Sequence, residues 1–237
     1  MATKIPEAIK YPRGLSLSGP WSSAHGSHLT FVASEDFRQT TMVVPSLSPR
    51  DADKVALRRL ARISRRAYVE SLDEQEKSRL EQSLAEILNP LLERSRIVGC
   101  YCPLPAEISP MPAMELAKRR GITTAFPAFA NHQDPFRFLA GDPDEEGPWS
   151  IFQPPLDAPH VYPDLVLLPL VAIDRQGTRL GQGKGHYDRV VEDLRSRGAL
   201  LIGLGWDVQL IDAAIPADPW DVPLDGFASP TQLTMFR

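Results

Sequence analysis

The chain has 237 residues, 43% of them hydrophobic and 24% charged, with 23 prolines, 15 glycines and two cysteines. That length suits one globular domain, or one with an appendage, and is ample for a real core. A formal charge of −4 and a pI near 5.8 argue against a protein built to grip nucleic acid or an anionic membrane.

Proline makes up about a tenth of the chain, twice the usual 5%, but it is clustered. None lies between Arg50 and Asn89 or between Leu170 and Ile215, so those windows can hold long regular elements. Residues 1–47 have no sustained period and read as a poorly structured extension; His28–Ser34 and Thr41–Val44 are its only strand-like runs. A helix is expected from Ser48, with Ser48 as N-cap, Pro49 at the first helical position and Asp51 facing the dipole, running to about Val69. Ser71-Leu-Asp-Glu74 reads as a capping box opening a second helix with Leu80, Leu84, Ile87, Leu88 and Leu91 on one stripe, which Pro90 should kink or shorten.

Alternation follows. Ile97–Cys102, Ile122–Phe126, Asp164–Pro169 and Leu200–Leu204 read as strands; Pro112–Arg120 and Gly185–Arg197 read as helices, ended by Gly121 and Gly198. This order implies an α/β fold with a mostly parallel sheet flanked by helices, one main domain over 48–237. The longest apolar stretch, Leu165 to Ile173, is broken by Pro169 and far shorter than the roughly 20 residues of a membrane helix. The first 40 residues hold Glu7, Glu35 and Asp36 and no continuous apolar run, so no export signal is expected. Cys100 and Cys102 are too close for an ordinary bridge and read as core-strand packing in a reduced, cytoplasmic setting.

Chemistry concentrates in Ile173 to Arg189, after the most apolar strand and before a helix, where open α/β sheets bind ligands. Gly181, Gly183 and Gly185 alternate, letting backbone amides approach an anion; the helix start, Arg179 and Lys184 add positive charge. Neither the Walker pattern nor the dinucleotide G-x-G-x-x-G fits, and a merely flexible glycine turn is the plainer alternative. On the first helix Lys54, Arg58, Arg62 and Arg65 or Arg66 form a basic stripe, either a solvated face or a polyanion clamp. Asp188 is either a magnesium ligand or a partner of the helix dipole, and Asp221 is a second carboxylate near the C-terminus. His25 and His28 lack a second pair for zinc, and no nucleophile elbow or Cys–His signature supports covalent catalysis.

The run Pro169-x4-Asp174-x2-Gly177-x-Arg179-Leu-Gly181-x-Gly183-x-Gly185-x-Tyr187-Asp188 closely resembles the signature of the 5-formyltetrahydrofolate cyclo-ligase (5,10-methenyltetrahydrofolate synthetase) family. Lys54-x-x-Leu-Arg58, Glu107-Ile108 after Tyr101, Trp149-Ser-Ile-x-Gln-Pro154 and Asp221-x-x-x-Asp225 fall in the family's order, so the likeness spans about 190 residues. The resemblance implies an enzyme that uses ATP and Mg²⁺ to phosphorylate the formyl oxygen of 5-formyltetrahydrofolate, closing the ring to the 5,10-methenyl product with release of ADP and phosphate. It implies that Lys54 and Arg58 contact ATP phosphates and that Arg179, Leu180, Gly181, Gln182, Gly183, Lys184, Gly185, His186 and Tyr187 wrap the triphosphate. Arg179 and Lys184 would stabilise charge during transfer, Asp188 and Asp221 would hold Mg²⁺, and Glu107, Gln182 and His186 would meet the folate. Arg62, Arg65 and Arg66 are left for contact with a polyglutamate tail. Two departures stand out: His186 where the family usually has Tyr, and the N-terminal extension. The alternatives are a paralogue that activates another N-formyl or N-acyl compound with ATP, and a folate- or nucleotide-binding protein without turnover. Oligomeric state is left open.

Overall fold

The computed structural model describes residues 49–236, with side chains from Asp53 onward. The extension and the Ser48 cap lie outside the described residues. Helix α1 is Pro49–Glu70 and α2 Glu74–Leu92; then come β1 (Ile97–Gly99), α3 (Met111–Arg119), β2 (Thr123–Ala128), β3 (Arg137–Ala140), β4 (Glu145–Glu146) and β5 (Phe152–Gln153). Next are β6 (Leu165–Pro169), β7 (Ala172–Asp174), β8 (Arg179–Leu180), α4 (Asp188–Ser196), β9 (Leu200–Leu204), β10 (Leu210–Ile211), β11 (Gly226–Ala228) and β12 (Leu233–Met235). The main sheet has the order β12-β11-β9-β6-β1-β2-β3, parallel from β11 to β2 and antiparallel at both edges. The α/β class with a mostly parallel sheet is therefore as the sequence implies.

Strand β6 explains the layering. Successive side chains of a strand point to opposite faces. Leu165 and Leu167 join one apolar cluster with Leu84 and Leu88 of α2 and Met114 of α3. Val166 and Leu168 join the other, with Val191 and Leu194 of α4. Burying each such side chain contributes about 1.5–3 kcal/mol, so a central parallel strand must be apolar along its whole length.

Several local expectations are corrected. Asp73, not Ser71, caps α2, accepting from the Glu76 amide at 2.8 Å, while the Ser71 hydroxyl donates back to the Tyr68 carbonyl at 2.6 Å. Pro90 sits inside α2, which continues to Leu92; so near a C-terminus the missing N–H removes only one late bond. Helix α4 starts at Asp188, three residues later than Gly185, because Gly183 and Gly185 take φ of +89° and +69°, values a helix does not use. Strand β1 ends at Gly99, so Glu107 lies in a turn beyond it, its amide bonded to the Leu104 carbonyl at 2.8 Å. Cys100 is buried beside the sheet, but Cys102 is not in a strand: its thiol donates to the Phe152 carbonyl at 3.1 Å and burial raises it to about 11.

Candidate active site

The chain passes from β1 outward to β2 and later returns to β6 on the other side of β1. Loops leaving such a reversal diverge and open a crevice at the carboxyl ends of the strands. A cavity of about 280 Å³ lies there, walled by Tyr101 and Glu107 after β1, Phe129 after β2, Pro169 of β6 and the glycine loop from Gly181 to Asp188.

The glycine loop is an amide cradle. Among the described residues, none of the backbone N–H groups from Gln182 to His186 donates to a protein acceptor. Positive φ at Gly183 and Gly185 alternates with the intervening residues, a pattern shared with backbone nests that take anions. Gly183 has room for a Cβ, whose nearest neighbour would be the Arg58 guanidinium at 3.6 Å, so its backbone angle and not space calls for glycine. Lys184 is exposed on the cavity wall and has no ion-pair partner among the described residues.

Helix α1 explains how the loop is held. Its inward face carries Lys54, Leu57, Arg58, Ala61 and Arg65, while Val55, Leu60 and Ile63 point outward and are exposed. Leu57 and Ala61 pack on Ala172, Leu180 and Ile215. Arg58 Nε donates to the Gly181 carbonyl at 3.1 Å, and Arg62 donates to the Gln182 carbonyl at 2.8 Å and to its side-chain oxygen at 2.9 Å. Arg65 is buried beside Glu107, while Arg62 and Arg66 are exposed, Arg62 bonded to the loop and Arg66 paired with Glu70 at 2.7 Å. Arg66 is thus the stripe member that only meets solvent and its own helix, whereas exposed Arg62 also holds the loop. Lys54 Nζ sits between Asp218 and Asp221 at 2.5 and 2.8 Å; burial pulls its pKa down, but the two carboxylates outweigh it and leave it raised. The sequence reading missed Asp218.

The two expected metal ligands stand apart. Asp188 lines the cavity and pairs through Oδ1 with Arg179, whose guanidinium also lies 5.8 Å from the Tyr187 ring centroid. Asp221 lines a separate open groove with Trp220 and Arg195, and its Oδ2 accepts from Lys54 and from the Asp218 amide. Among the described residues no three His, Cys, Asp or Glu side chains gather as a metal cluster. Mg²⁺ with phosphate needs only one or two carboxylates, and Asp188 suits it: half-exposed, on the cavity wall, with Oδ2 free of protein partners among the described residues.

The opposite wall is aromatic. His186 stacks edge-on to Phe129 at 5.3 Å and lies 4.8 Å from Trp149. Burial, then Lys184 and Arg189, lower its pKa and so disfavour the charged ring. Trp149 and Ser150 both hold positive φ (60° and 55°), a conformation that costs a non-glycine residue about 1–2 kcal/mol. Gln153 secures this wall: its side chain, buried, accepts from the Phe129 amide at 2.9 Å and donates to its carbonyl at 3.4 Å. Trp149 and Gln153 belong to a sequence motif that by itself gives neither a task. Buried Asp174 was likewise only a signature letter; it accepts from the amides of Gln176, Thr178 and Ile215, each at 2.9 Å, and so anchors the approach to the loop. No helix among the described residues is long and apolar enough to cross a membrane.

The sequence model of the 5-formyltetrahydrofolate cyclo-ligase family matches residues 50–230. A 5-formyltetrahydrofolate cyclo-ligase of Mycoplasma genitalium is 31% identical over 177 residues, covering 73% of this chain and 95% of that protein. One of Haemophilus influenzae is 29% identical over 154 residues, 61% of this chain and 82% of that protein. Among solved structures, a 5,10-methenyltetrahydrofolate synthetase of Aquifex aeolicus superposes with a TM-score of 0.66 at 26% identity, covering 78% of this chain and 93% of that one. A Mycoplasma pneumoniae synthetase gives 0.58 at 27%, covering 75% and 99%. The family's span takes in α1, the glycine loop and the cavity alike, and the chain is an enzyme, a ligase, that belongs to the 5-formyltetrahydrofolate cyclo-ligase family.

Proposed function

We propose that the protein converts 5-formyltetrahydrofolate and ATP to 5,10-methenyltetrahydrofolate, ADP and phosphate. The observation that carries this reading is the juxtaposition of an unpartnered amide cradle and Lys184 with a closed-in aromatic pocket floored by Glu107. One half suits a triphosphate; the other suits a flat heterocycle with N–H donors on one edge.

The chemistry follows from the leaving group. A formyl oxygen on N5 leaves poorly. Its attack on the γ-phosphorus expels ADP and gives an iminium phosphate. The N10 lone pair then adds to the activated carbon, N10 loses its proton, and the C–O bond breaks to release phosphate. Phosphoryl transfer depends mainly on positioning and charge neutralisation, so no covalent nucleophile is required. Arg58 holds the loop through the Gly181 carbonyl, the amides from Gln182 to His186 receive phosphate oxygens, and Lys184 and Arg179 stabilise charge in transfer. Asp188 is the carboxylate proposed to hold Mg²⁺, and Asp221 joins it only after release from Lys54. When bound, the ion would neutralise phosphate charge as the phosphoryl group is transferred. Glu107 receives the pterin amino edge, with His186 and Trp149 against the ring system.

Near-ultraviolet absorbance of the methenyl product separates the readings. Signal only with ATP, Mg²⁺, 5-formyltetrahydrofolate and enzyme together supports this one. ATP turnover with other formyl compounds alone supports a paralogue, and binding without turnover supports a binding protein.

A further inference from the structure

Glu107 is an unusual floor for an apolar pocket. Its side chain is 6% exposed, and that of Arg65, which approaches it from α1, is 7% exposed. Arg65 NH1 lies 3.5 Å from Glu107 Oε1 and donates to the Leu170 carbonyl at 3.3 Å, while its buried Nε has no partner among the described residues. Oε1 also accepts from Gln182 Nε2 at 2.9 Å, and Oε2 from the Leu104 amide at 3.1 Å. An ionised carboxylate offers about four lone-pair sites and no donor. One site on Oε2 is thus open for a substrate N–H.

A carboxyl group removed from water takes up a proton unless a cation compensates it. A protonated Glu107 would present a donor where an amino edge needs an acceptor. The other charged or titratable groups around the pocket are Arg62 of α1, Tyr101 and Cys102 after β1, Arg179 of β8, and Lys184 to Asp188 before and at the start of α4. None of those cations pairs with Glu107; among the described residues its ion-pair contact is Arg65. A methionine at 65 would fill similar space without orphaning a buried N–H. The arginine therefore has a use beyond packing.

We propose that Arg65 is a positioning residue that keeps Glu107 ionised and aimed, restricting the pocket to ring systems that present an amidine-like N–H edge. This rests on the reading of Glu107 as the substrate acceptor.

The test is equilibrium binding of 5-formyltetrahydrofolate without ATP, from pH 6.0 to 8.5, to wild type, Arg65→Met, Arg65→Lys, Glu107→Gln and the Arg65→Met/Glu107→Gln pair. Relative to wild type, Arg65→Met should bind several-fold more weakly at pH 6.0 than at pH 8.5, because the methionine leaves a buried carboxylate without its cation. Comparison with wild type at each pH cancels the His186 contribution. Arg65→Lys should restore the wild-type profile. Because Arg65 acts only through Glu107, the pair should bind as Glu107→Gln does and melt no lower. A parallel loss at every pH in Arg65→Met, or a further loss in the pair over Glu107→Gln, overturns the proposal; the second comparison decides it if Arg65→Met does not fold. Wild type that binds no 5-formyltetrahydrofolate would instead overturn the proposed function itself, and this inference with it.

Discussion

Gln182 of the glycine loop donates through Nε2 to Oε1 of Glu107, 2.9 Å away across the cavity, while Arg62 holds the same side chain through its oxygen. The loop proposed to receive phosphate and the floor proposed to receive the pterin are therefore one hydrogen-bonded unit. Ordering one half lowers the entropic cost of filling the other. Gln182→Ala should raise KM for the folate about tenfold, the scale of a hydrogen bond to a charged group. It should also abolish any tightening of folate binding by a non-hydrolysable ATP analogue, read by calorimetry. Unchanged synergy in the variant would separate the two halves.

Lys184 has neither an ion-pair partner among the described residues nor a role in the core. Lys184→Met should leave Tm and folate binding unchanged and lower kcat by roughly 100-fold or more, the usual loss when a donor to developing charge is removed. A kcat within a factor of three of wild type would remove it from the transfer step.

His186 gives the pH dependence a sign. Burial and two neighbouring cations disfavour its charged form, so the ring protonates at lower pH than an ordinary histidine. KM for the folate should be flat from pH 8 to about 6.5 and rise below it as the ring charges against Phe129 and Trp149. His186→Tyr should remove the acid-side rise. A rise that persists in that variant belongs to another group.

Asp174 is buried with three amide donors, Gln176 and Thr178 from the β7–β8 turn and Ile215 from the segment after β10. Asp174→Ala leaves them unsatisfied and should cost about 2–3 kcal/mol, measured by urea unfolding, since bonds to a charged acceptor exceed neutral ones. Wild-type stability in this variant would mean that water replaces the carboxylate.

The central strands were legible because burial on both faces demands unbroken apolar runs: Leu200–Leu204 has the bounds expected of it, and Leu165–Pro169 is one residue shorter. The short strands β7, β8, β10 and β11 were not, since two or three residues carry no periodicity. Helix α1 misleads in a more instructive way. Its cations Lys54, Arg58 and Arg65 face inward and its Val55, Leu60 and Ile63 outward, the reverse of an ordinary amphipathic helix. The surface it covers is a loop of carbonyls and a carboxylate, which sequence spacing alone does not reveal. The glycine loop was readable as a motif, but its link to Glu107 spans 75 positions and depends on the fold.

The central claim is that ATP activates the formyl oxygen itself. The direct measurement is turnover of 5-formyltetrahydrofolate carrying ¹⁸O in the formyl group, with mass analysis of the phosphate released. The account predicts one labelled oxygen in each phosphate, with ADP and methenyl product formed in equal amounts. Unlabelled phosphate, or methenyl product formed without ADP, would contradict it.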